Sequence, residues 1–247
     1  MNTQLFYLLV LVLIVVIVKT PWFKGVIGEF IINISSKLLL DKEKYHLIKN
    51  VTLPTKDGTT QIDHIIVSIY GIFVVETKNM KGWIFGGEKQ RTWTQQIFKH
   101  KNKFQNPLHQ NYKHTQTLKE LLGLTDNEVF SLIVFVGEST FKREMPSNVT
   151  EGLGYIRYIK SKTKEVLSIS QTKEITSKIK AGRLKPSIKT NREHVNHLKK
   201  KSNDPSCPKC GSKMLLKEAK RGSNTGNKFW GCSSYPKCRG LRDYNIN

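Results

Sequence analysis

Thr60-Gln61-Ile62-Asp63-His64-Ile65-Ile66-Val67-Ser68-Ile69-Tyr70-Gly71-Ile72-Phe73-Val74-Val75-Glu76-Thr77-Lys78-Asn79 reads as two strands folded back on each other at a turn near Tyr70 and Gly71. Both strands are almost continuously apolar, which suits a central sheet position covered on both faces. Three charges interrupt them: Asp63, Glu76 and Lys78. Side chains alternate faces along a strand, so Glu76 and Lys78 share one face. A turn centred on Ile69 and Tyr70 sets Asp63 opposite Glu76, whereas a turn centred on Tyr70 and Gly71 sets it opposite Lys78. Either register gathers all three charges on one face. Charges in a buried sheet are costly unless paired or metal-bound. Two carboxylates around a hard cation, with an ammonium beside it, meet that demand and also describe a phosphodiester-cleaving site. A salt bridge at a sheet edge would be spelled with the same letters. His64 falls on the other face, as a packed, hydrogen-bonded side chain.

Working outward, Gln61-Ile62-Asp63-His64-Ile65, Gly71-Ile72-Phe73-Val74-Val75-Glu76-Thr77-Lys78-Asn79 and Gly82-Trp83-Ile84-Phe85-Gly86 closely resemble the nuclease-related domain (NERD) family. That family is grouped with the nucleases that share a PD-(D/E)xK core. The resemblance extends through Trp93 and Asn106-Pro107-Leu108-His109-Gln110, and back to Gly28-Glu29. It implies Asp63 and Glu76 as ligands of Mg²⁺ or Mn²⁺, with the Thr77 carbonyl as a further ligand. It also implies Lys78 acting on the attacking water and the phosphate, and Glu29 supporting the metal from the first helix. Many nucleases of this superfamily carry a downstream Gln followed three residues later by Tyr. Here Gln110 is followed by Asn111-Tyr112-Lys113-His114, so that pattern is not met. Gln110 is kept as a site neighbour that contacts nucleic acid, and His114 is read as an ordinary exposed histidine.

Upstream, Leu5 to Val18 is an unbroken apolar run, and no Lys or Arg precedes it. Alone it is shorter than the roughly 20 residues of a spanning helix. Met1–Gln4 or the Trp22-Phe23 pair would extend it to that length. A cleaved signal peptide would call for a basic start and a small-residue cleavage site, and neither is present; a buried core helix is the other alternative. Lys19, Lys24 and the basic remainder place the N-terminus outside and the main chain in the cytoplasm. The expectation is a transmembrane anchor over residues 1–23 at the cell membrane. From Gly25 to Leu40, the apolar residues Val26, Ile27, Phe30, Ile34 and Leu38 fall at helical spacing, with Glu29 beside the Phe30 face.

Downstream, Tyr45–Leu53 reads as an edge strand, followed by a turn through Pro54 and Lys56-Asp57-Gly58. Trp83–Phe85 and Arg91–Thr94 read as short strands, and Lys99–Lys103 as a basic cluster near the site, either holding phosphates or forming a solvated loop. Asn106-Pro107 is a helix start. That helix runs to about Leu122, stops at Gly123, and offers Leu108, Tyr112, Thr115, Leu118 and Leu122 to the core. Val129–Val136 and, more weakly, Gly154–Lys160 read as strands, and Lys164–Lys180 as a helix. The fold class is α/β: a PD-(D/E)xK-like mixed sheet flanked by helices over residues 24–180. A basic linker over residues 181–204 follows, with a short helix over Arg192–Lys201.

All four cysteines lie beyond the linker: Cys207, Cys210, Cys232 and Cys238. In a chain without other cysteines on the cytoplasmic side, this spacing points to structural Zn²⁺ rather than to two disulfides. Cys207-Pro208-Lys209-Cys210-Gly211 and Phe229-Trp230-Gly231-Cys232-Ser233-Ser234-Tyr235-Pro236-Lys237-Cys238 resemble the C-terminal zinc ribbons of bacterial topoisomerase I, which bind single-stranded DNA. A ribbon over residues 205–243 follows. Phe229, Trp230 and Tyr235 offer stacking faces or pack the ribbon, and Lys237 and Arg239 offer phosphate contacts. With 41 Lys and Arg against 19 acidic residues, the chain carries a formal charge of +22, which suits a polyanionic partner. The expectation is a membrane-anchored, metal-dependent nuclease acting on nucleic acid, with DNA the favoured substrate. The alternative is a catalytically inactive tethered protein that binds or senses DNA.

Overall fold

The computed structural model describes residues 3–55, 58–185, 187, 190, 192, 195, 207, 209–210, 212–219 and 225–244. The chain forms two compact units, Met1–Pro186 and Ser187–Asn247. Most of the helix expected over Arg192–Lys201, most of the basic linker and the Lys56-Asp57 part of the turn lie outside the described residues.

The first unit opens with helices α1 (Thr3–Lys19) and α2 (Pro21–Leu39), followed by strands β1 (Tyr45–Thr55), β2 (Gly58–Ser68) and β3 (Gly71–Lys78). Next come β4 (Gly82–Phe85), β5 (Thr92–Ile97), β6 (His100–Gln105) and helix α3 (Pro107–Leu122). Strands β7 (Val129–Phe135), β8 (Ser139–Phe141) and β9 (Val149–Glu151) and helices α4 (Gly154–Lys160) and α5 (Ile169–Gly182) complete it. One sheet has the order β1-β2-β3-β7-β9, and a second the order β6-β5-β4-β8. The pair β3–β7 is parallel, so the chain must cross over between them, and it builds β4, β5, β6 and α3 on the way; β8 joins the second sheet after β7. Helices α3 and α5 cover one face of the first sheet, through Leu118, Ile175 and Ile179 against Ile65, Val67, Ile72 and Val74. Helices α2 and α4 cover the other, through Ile32, Tyr155 and Ile159 against Ile66, Phe73 and Val75. This is the expected mixed sheet flanked by helices.

The β2–β3 turn resolves the open register. Ser68 pairs with Gly71, so the two turn residues are Ile69 and Tyr70. Ser68 holds the turn by accepting from the Tyr70 N–H (3.2 Å) and donating to the Gly71 carbonyl (2.9 Å). Gly71 sits at φ +124°, where a side chain is strained, and a Cβ there would lie 2.5 Å from the Phe130 ring. In that register Asp63 falls across from Glu76, one position beyond the last ladder pair His64↔Val75.

Several expectations are corrected. Gly154–Lys160 is helix α4 rather than a strand, because its buried residues Tyr155, Ile156 and Ile159 repeat at helical spacing. Lys99–Lys103 is no loop: most of it is β6, hydrogen-bonded along β5. On α3 the buried residues are Pro107, Asn111, His114, Thr115 and Leu118, whereas Tyr112 points to solvent. Its ends are as read, with the Asn106 side chain accepting from the Leu108 N–H and Gly123 in the left-handed region at φ 67°. On α2 the apolar stripe faces outward: Phe30 is 60% and Leu38 77% exposed, and Val26 and Ile34 are exposed too. Gly28, Ile32, Ser35 and Ser36 face the core instead. The Tyr155 hydroxyl satisfies both serines, at 2.7 and 3.0 Å.

The expected transmembrane helix is also corrected: among the described residues no helix is long and apolar enough to cross a membrane. Helix α1 has 17 residues, about 26 Å of rise against a bilayer core of about 30 Å. The chain breaks at Thr20, whose side chain caps α2 by accepting from the Phe23 N–H, with Pro21 in the first turn. Trp22 and Phe23 thus belong to a second helix and cannot lengthen the first.

The second unit holds an antiparallel sheet of β10 (Met214–Glu218), β11 (Lys228–Cys232) and β12 (Leu241–Asp243). Its small core is Cys207, Met214 and Cys232, with Trp230 and Cys238 packed against them.

Candidate active site and zinc ribbon

Residues 63, 76 and 78 share the sheet face covered by α3. Asp63 Oδ2 accepts from the Thr77 backbone N–H at 2.9 Å. Lys78 Nζ donates to Glu76 Oε1 at 2.6 Å and to Gln110 Oε1 at 3.0 Å. Two asparagines fix α3, and with it Gln110. Asn106 Nδ2 donates to the carbonyls of Gln90 (2.7 Å) and Glu88 (3.0 Å), tying the helix start to the β4–β5 loop. Buried Asn111 donates to the Val74 carbonyl (2.8 Å) and the Ser131 hydroxyl (2.9 Å), tying the helix to β3 and β7.

His114 is the site residue that sequence reasoning missed. It is only 6% exposed. Its Nδ1 lies 2.7 Å from the Thr60 hydroxyl, and its Nε2 lies 3.4 Å from Glu76 Oε2. With Thr60 donating to Nδ1, the Nε2–H faces the carboxylate. The signal was present: Gln110 and His114 are four apart on one helix face. His114→Ala is expected to weaken binding of the divalent cation about tenfold or more, the usual cost of losing a group that orients a ligand. His114→Gln is expected to recover part of it. Titrating activity with Mg²⁺ reads both.

Electrostatics distinguish the two carboxylates. Burial, and then the neighbouring Glu76 charge, push Asp63 up to about 8. Burial also pushes Glu76 upward, but the neighbouring His114 ring and Lys78 outweigh it and hold Glu76 below its ordinary value. Glu76 Oε2 is buried without a well-aligned hydrogen bond, since its approach to His114 is an ion-pair distance only. Buried Glu76 and partly buried Asp63, with Lys78 seated on Glu76 Oε1, offer carboxylate oxygens of the kind a hard divalent cation takes.

Folding favours protonated Asp63, because its folded pKa lies above its unfolded one. That contribution is complete below the unfolded carboxylate range and is lost as pH rises toward about 8. A cation replaces the proton. The rise in Tm caused by Mg²⁺ or Mn²⁺ is therefore expected to be larger at about pH 8 than at about pH 6, as read by thermal unfolding.

Glu29 lies on α2, over the opposite sheet face. Burial, and then the Glu76 charge, raise its pKa, so the two sense each other. It does not close a three-carboxylate cluster, because the only group of three or more convergent metal-ligating side chains among the described residues is cysteine. His64 is fully buried on that same opposite face, as expected, but neither ring nitrogen has a good hydrogen bond among the described residues. Burial lowers its pKa to about 4 and keeps the ring neutral.

In the second unit the Sγ atoms of Cys207, Cys210, Cys232 and Cys238 all lie within 4.8 Å of one another. Cys207 and Cys238 are 3.7 Å apart, and Cys210 and Cys232 are 3.4 Å apart. Zn–S bonds of about 2.3 Å require tetrahedral edges of about 3.8 Å, so the four sulfurs fit one zinc ion. Gly240 crosses the site so closely that a Cβ would lie 2.1 Å from Cys207 Sγ. Trp230 packs inward, edge-on to Tyr244 at 5.9 Å. Phe229, Tyr235 and Arg239 instead line a groove of ≈ 410 Å³ with Lys217, on the other side of β11. Lys237 is exposed beside it.

Residues 24–136 match the family described as nuclease-related domain, and residues 204–245 that described as topoisomerase DNA binding C4 zinc finger. Over 104 residues the chain is 51% identical to an uncharacterized protein of Bacillus anthracis, covering 41% of this chain and 48% of that protein. Over 45 residues it is 42% identical to DNA topoisomerase 1 of Methanocaldococcus jannaschii, covering 18% of this chain and 5% of that protein. The chain thus spans about half the length of the first relative, at 48%, and a small part of the second. No solved structure matches it significantly. The buried charged centre falls within the nuclease-related match, and the four-cysteine centre within the zinc-finger match.

Proposed function

We propose that the chain is a metal-dependent nuclease that hydrolyses nucleic-acid phosphodiesters, DNA first, and holds substrate partly through its zinc ribbon. The observation that carries this reading is the meeting of Asp63, Glu76 and Lys78 on one buried sheet face, under Gln110 and His114. A divalent cation held by Asp63 and Glu76 would polarise the phosphate and the attacking water. Lys78, aimed by Glu76 and Gln110, orients that water and offsets the negative charge that grows on the phosphate. Water adds to phosphorus, the P–O bond to the leaving sugar breaks, and that oxygen takes up a proton. His114, braced by Thr60, fixes the Glu76 carboxylate, and Glu29 supports the centre electrostatically from α2. In the ribbon, Phe229 and Tyr235 stack on bases while Lys237 and Arg239 meet phosphates. Incubation with DNA and Mg²⁺ or Mn²⁺ tests this, and metal-dependent shortening of the substrate is the expected result.

A second reading is a tethered DNA-binding or sensing protein that does not cut. It is favoured by the Lys78 ammonium already seated on Glu76 at 2.6 Å, an ion pair complete without metal. Tight, salt-sensitive binding without cleavage would support it.

Attachment to the cytoplasmic side of the cell membrane belongs to the same proposal. Tyr7, Leu8, Leu11, Val12 and Val16 of α1 are exposed, as is the Phe30–Leu38 stripe of α2. Such surface, flanked by Lys19 and Lys24, suits a lipid interface. Sedimentation with anionic vesicles is the expected result, and deletion of residues 1–20 should release the protein.

A further inference from the structure

We propose that the outer face of the β6-β5-β4-β8 sheet is a binding platform for single-stranded nucleic acid, separate from the zinc ribbon and from the buried charged centre. Strand registers assemble it. Trp83 stands across from Gln96, and Gln96 across from Lys101; Phe85 stands across from Thr94, and Thr94 across from Lys103. Trp83, Phe85, Lys101 and Lys103 therefore share one face. The alternate residues Ile84, Trp93, Phe104 and Phe141 fill the core behind it. Trp83 remains 49% exposed, and Lys142 Nζ sits 4.3 Å from its ring centroid. Between Gly82 and Gln105 there are five Lys and Arg residues against a single acid, Glu88.

The hairpin tip adds a second, independent observation. Phe98 and Lys99 form the two-residue turn between Ile97 and His100. Phe98 is 89% exposed and sits at φ +51°. The left-handed region is ordinarily glycine or asparagine territory in such turns, and a bulky residue there is strained. Among the described residues no packing offsets that strain, whereas a base stacked on the ring would. Lysines by themselves could serve only to blunt an edge strand. Exposed aromatic rings do the opposite, so edge protection does not account for Trp83 and Phe98.

The chemistry selects the ligand. Flat exposed rings interleaved with ammonium groups match base faces and phosphates, and the base faces are open only in an unpaired strand. The platform is also joined directly to the charged centre. Asn79–Lys81 alone separate Lys78 from β4, and Asn106 alone separates β6 from the helix that carries Gln110. This deepens the nuclease reading by naming a single-stranded substrate, and rests on that reading only for what becomes of the bound strand.

The test is binding without cleavage, on the zinc-loaded full chain with Ca²⁺ in place of Mg²⁺. Oligothymidylate and oligouridylate are photo-crosslinked to the protein and the attached peptides are identified by mass spectrometry. Affinities of the wild type and of a Trp83→Ala, Phe98→Ala double variant are measured for both oligomers and for a blunt duplex. Crosslinks at Trp83 or Phe98 are expected, with about tenfold or greater loss of single-strand affinity and little change for duplex. Loss on both oligomers, or on one, supports the platform, and the pattern assigns the sugar it accepts. Crosslinks confined to ribbon peptides, with unchanged affinity in the double variant, would overturn it. Both substituted side chains are exposed, and an unchanged Tm confirms the fold. Should the variant be unstable, Lys101→Glu with Lys103→Glu gives the same readout. Lost binding in the variant beside a wild type that never cuts would leave this inference standing and remove the nuclease reading.

Discussion

Asp63→Asn is expected to cut metal-dependent cleavage by at least about 10²-fold while raising the Tm of the metal-free protein by a few degrees. Both effects come from the same carboxylate. Asp63 is held against Glu76 in a buried sheet, and burial and that neighbour push its pKa to about 8. At neutral pH the folded protein must either retain a proton there or bury a second negative charge beside Glu76. An amide removes that demand. Its oxygen still accepts from the Thr77 N–H, and its NH₂ can donate toward Glu76. What it cannot supply is the second anionic ligand for a hard cation. Circular dichroism on heating reads stability, and a cleavage assay reads activity. Lower stability in Asp63→Asn would mean that the centre is a structural ion-pair network, not one held open for metal.

Removal of zinc has the other large effect, confined to the second unit. Among the described residues its core is three side chains with Trp230 and Cys238 against them, two of the three being cysteines. So little apolar surface cannot offset the entropy of ordering the strands, whereas zinc–thiolate binding contributes on the order of 10 kcal/mol or more. Cys232→Ser, or treatment with a zinc chelator, is expected to unfold β10–β12 and leave the first unit intact. Nuclear magnetic resonance should show the Phe229, Trp230 and Gly231 signals collapsing while those of β2 and β3 stay in place. Metal analysis should give one zinc per folded chain. Gly240→Ala should weaken the site as well, since the added carbon meets Cys207 Sγ at 2.1 Å.

The charged centre was legible because strand alternation needs only residue types: Asp63, Glu76 and Lys78 fall on one face in either register. The turn chemistry of Ser68 and Gly71 then chose between the registers. The four cysteines were legible from spacing alone. What sequence pattern missed was decided by tertiary contact. On α2, hydrophobic periodicity pointed to Phe30, Ile34 and Leu38, yet the packed face is Gly28, Ile32, Ser35 and Ser36. Small residues allow close approach, and the Tyr155 hydroxyl satisfies the serines from 119 and 120 residues away. β6 has no apolar alternation to announce it and exists because β5 offers it a partner. His114 read as a surface residue because its spacing from Gln110 shows a shared helix face but not that Thr60 and Glu76 close over it.

The account is tested most directly by incubating the zinc-loaded full chain with labelled single- and double-stranded DNA in Mg²⁺, Mn²⁺ or Ca²⁺, beside Lys78→Ala. The variant loses the cation that touches Glu76 and Gln110 and keeps the metal-ligating carboxylates and the ribbon. Cutting by the wild type in Mg²⁺ or Mn²⁺, lost in Lys78→Ala while DNA binding persists, is the predicted result. Equal cutting by both proteins, or no cutting by the wild type on any substrate, would contradict it.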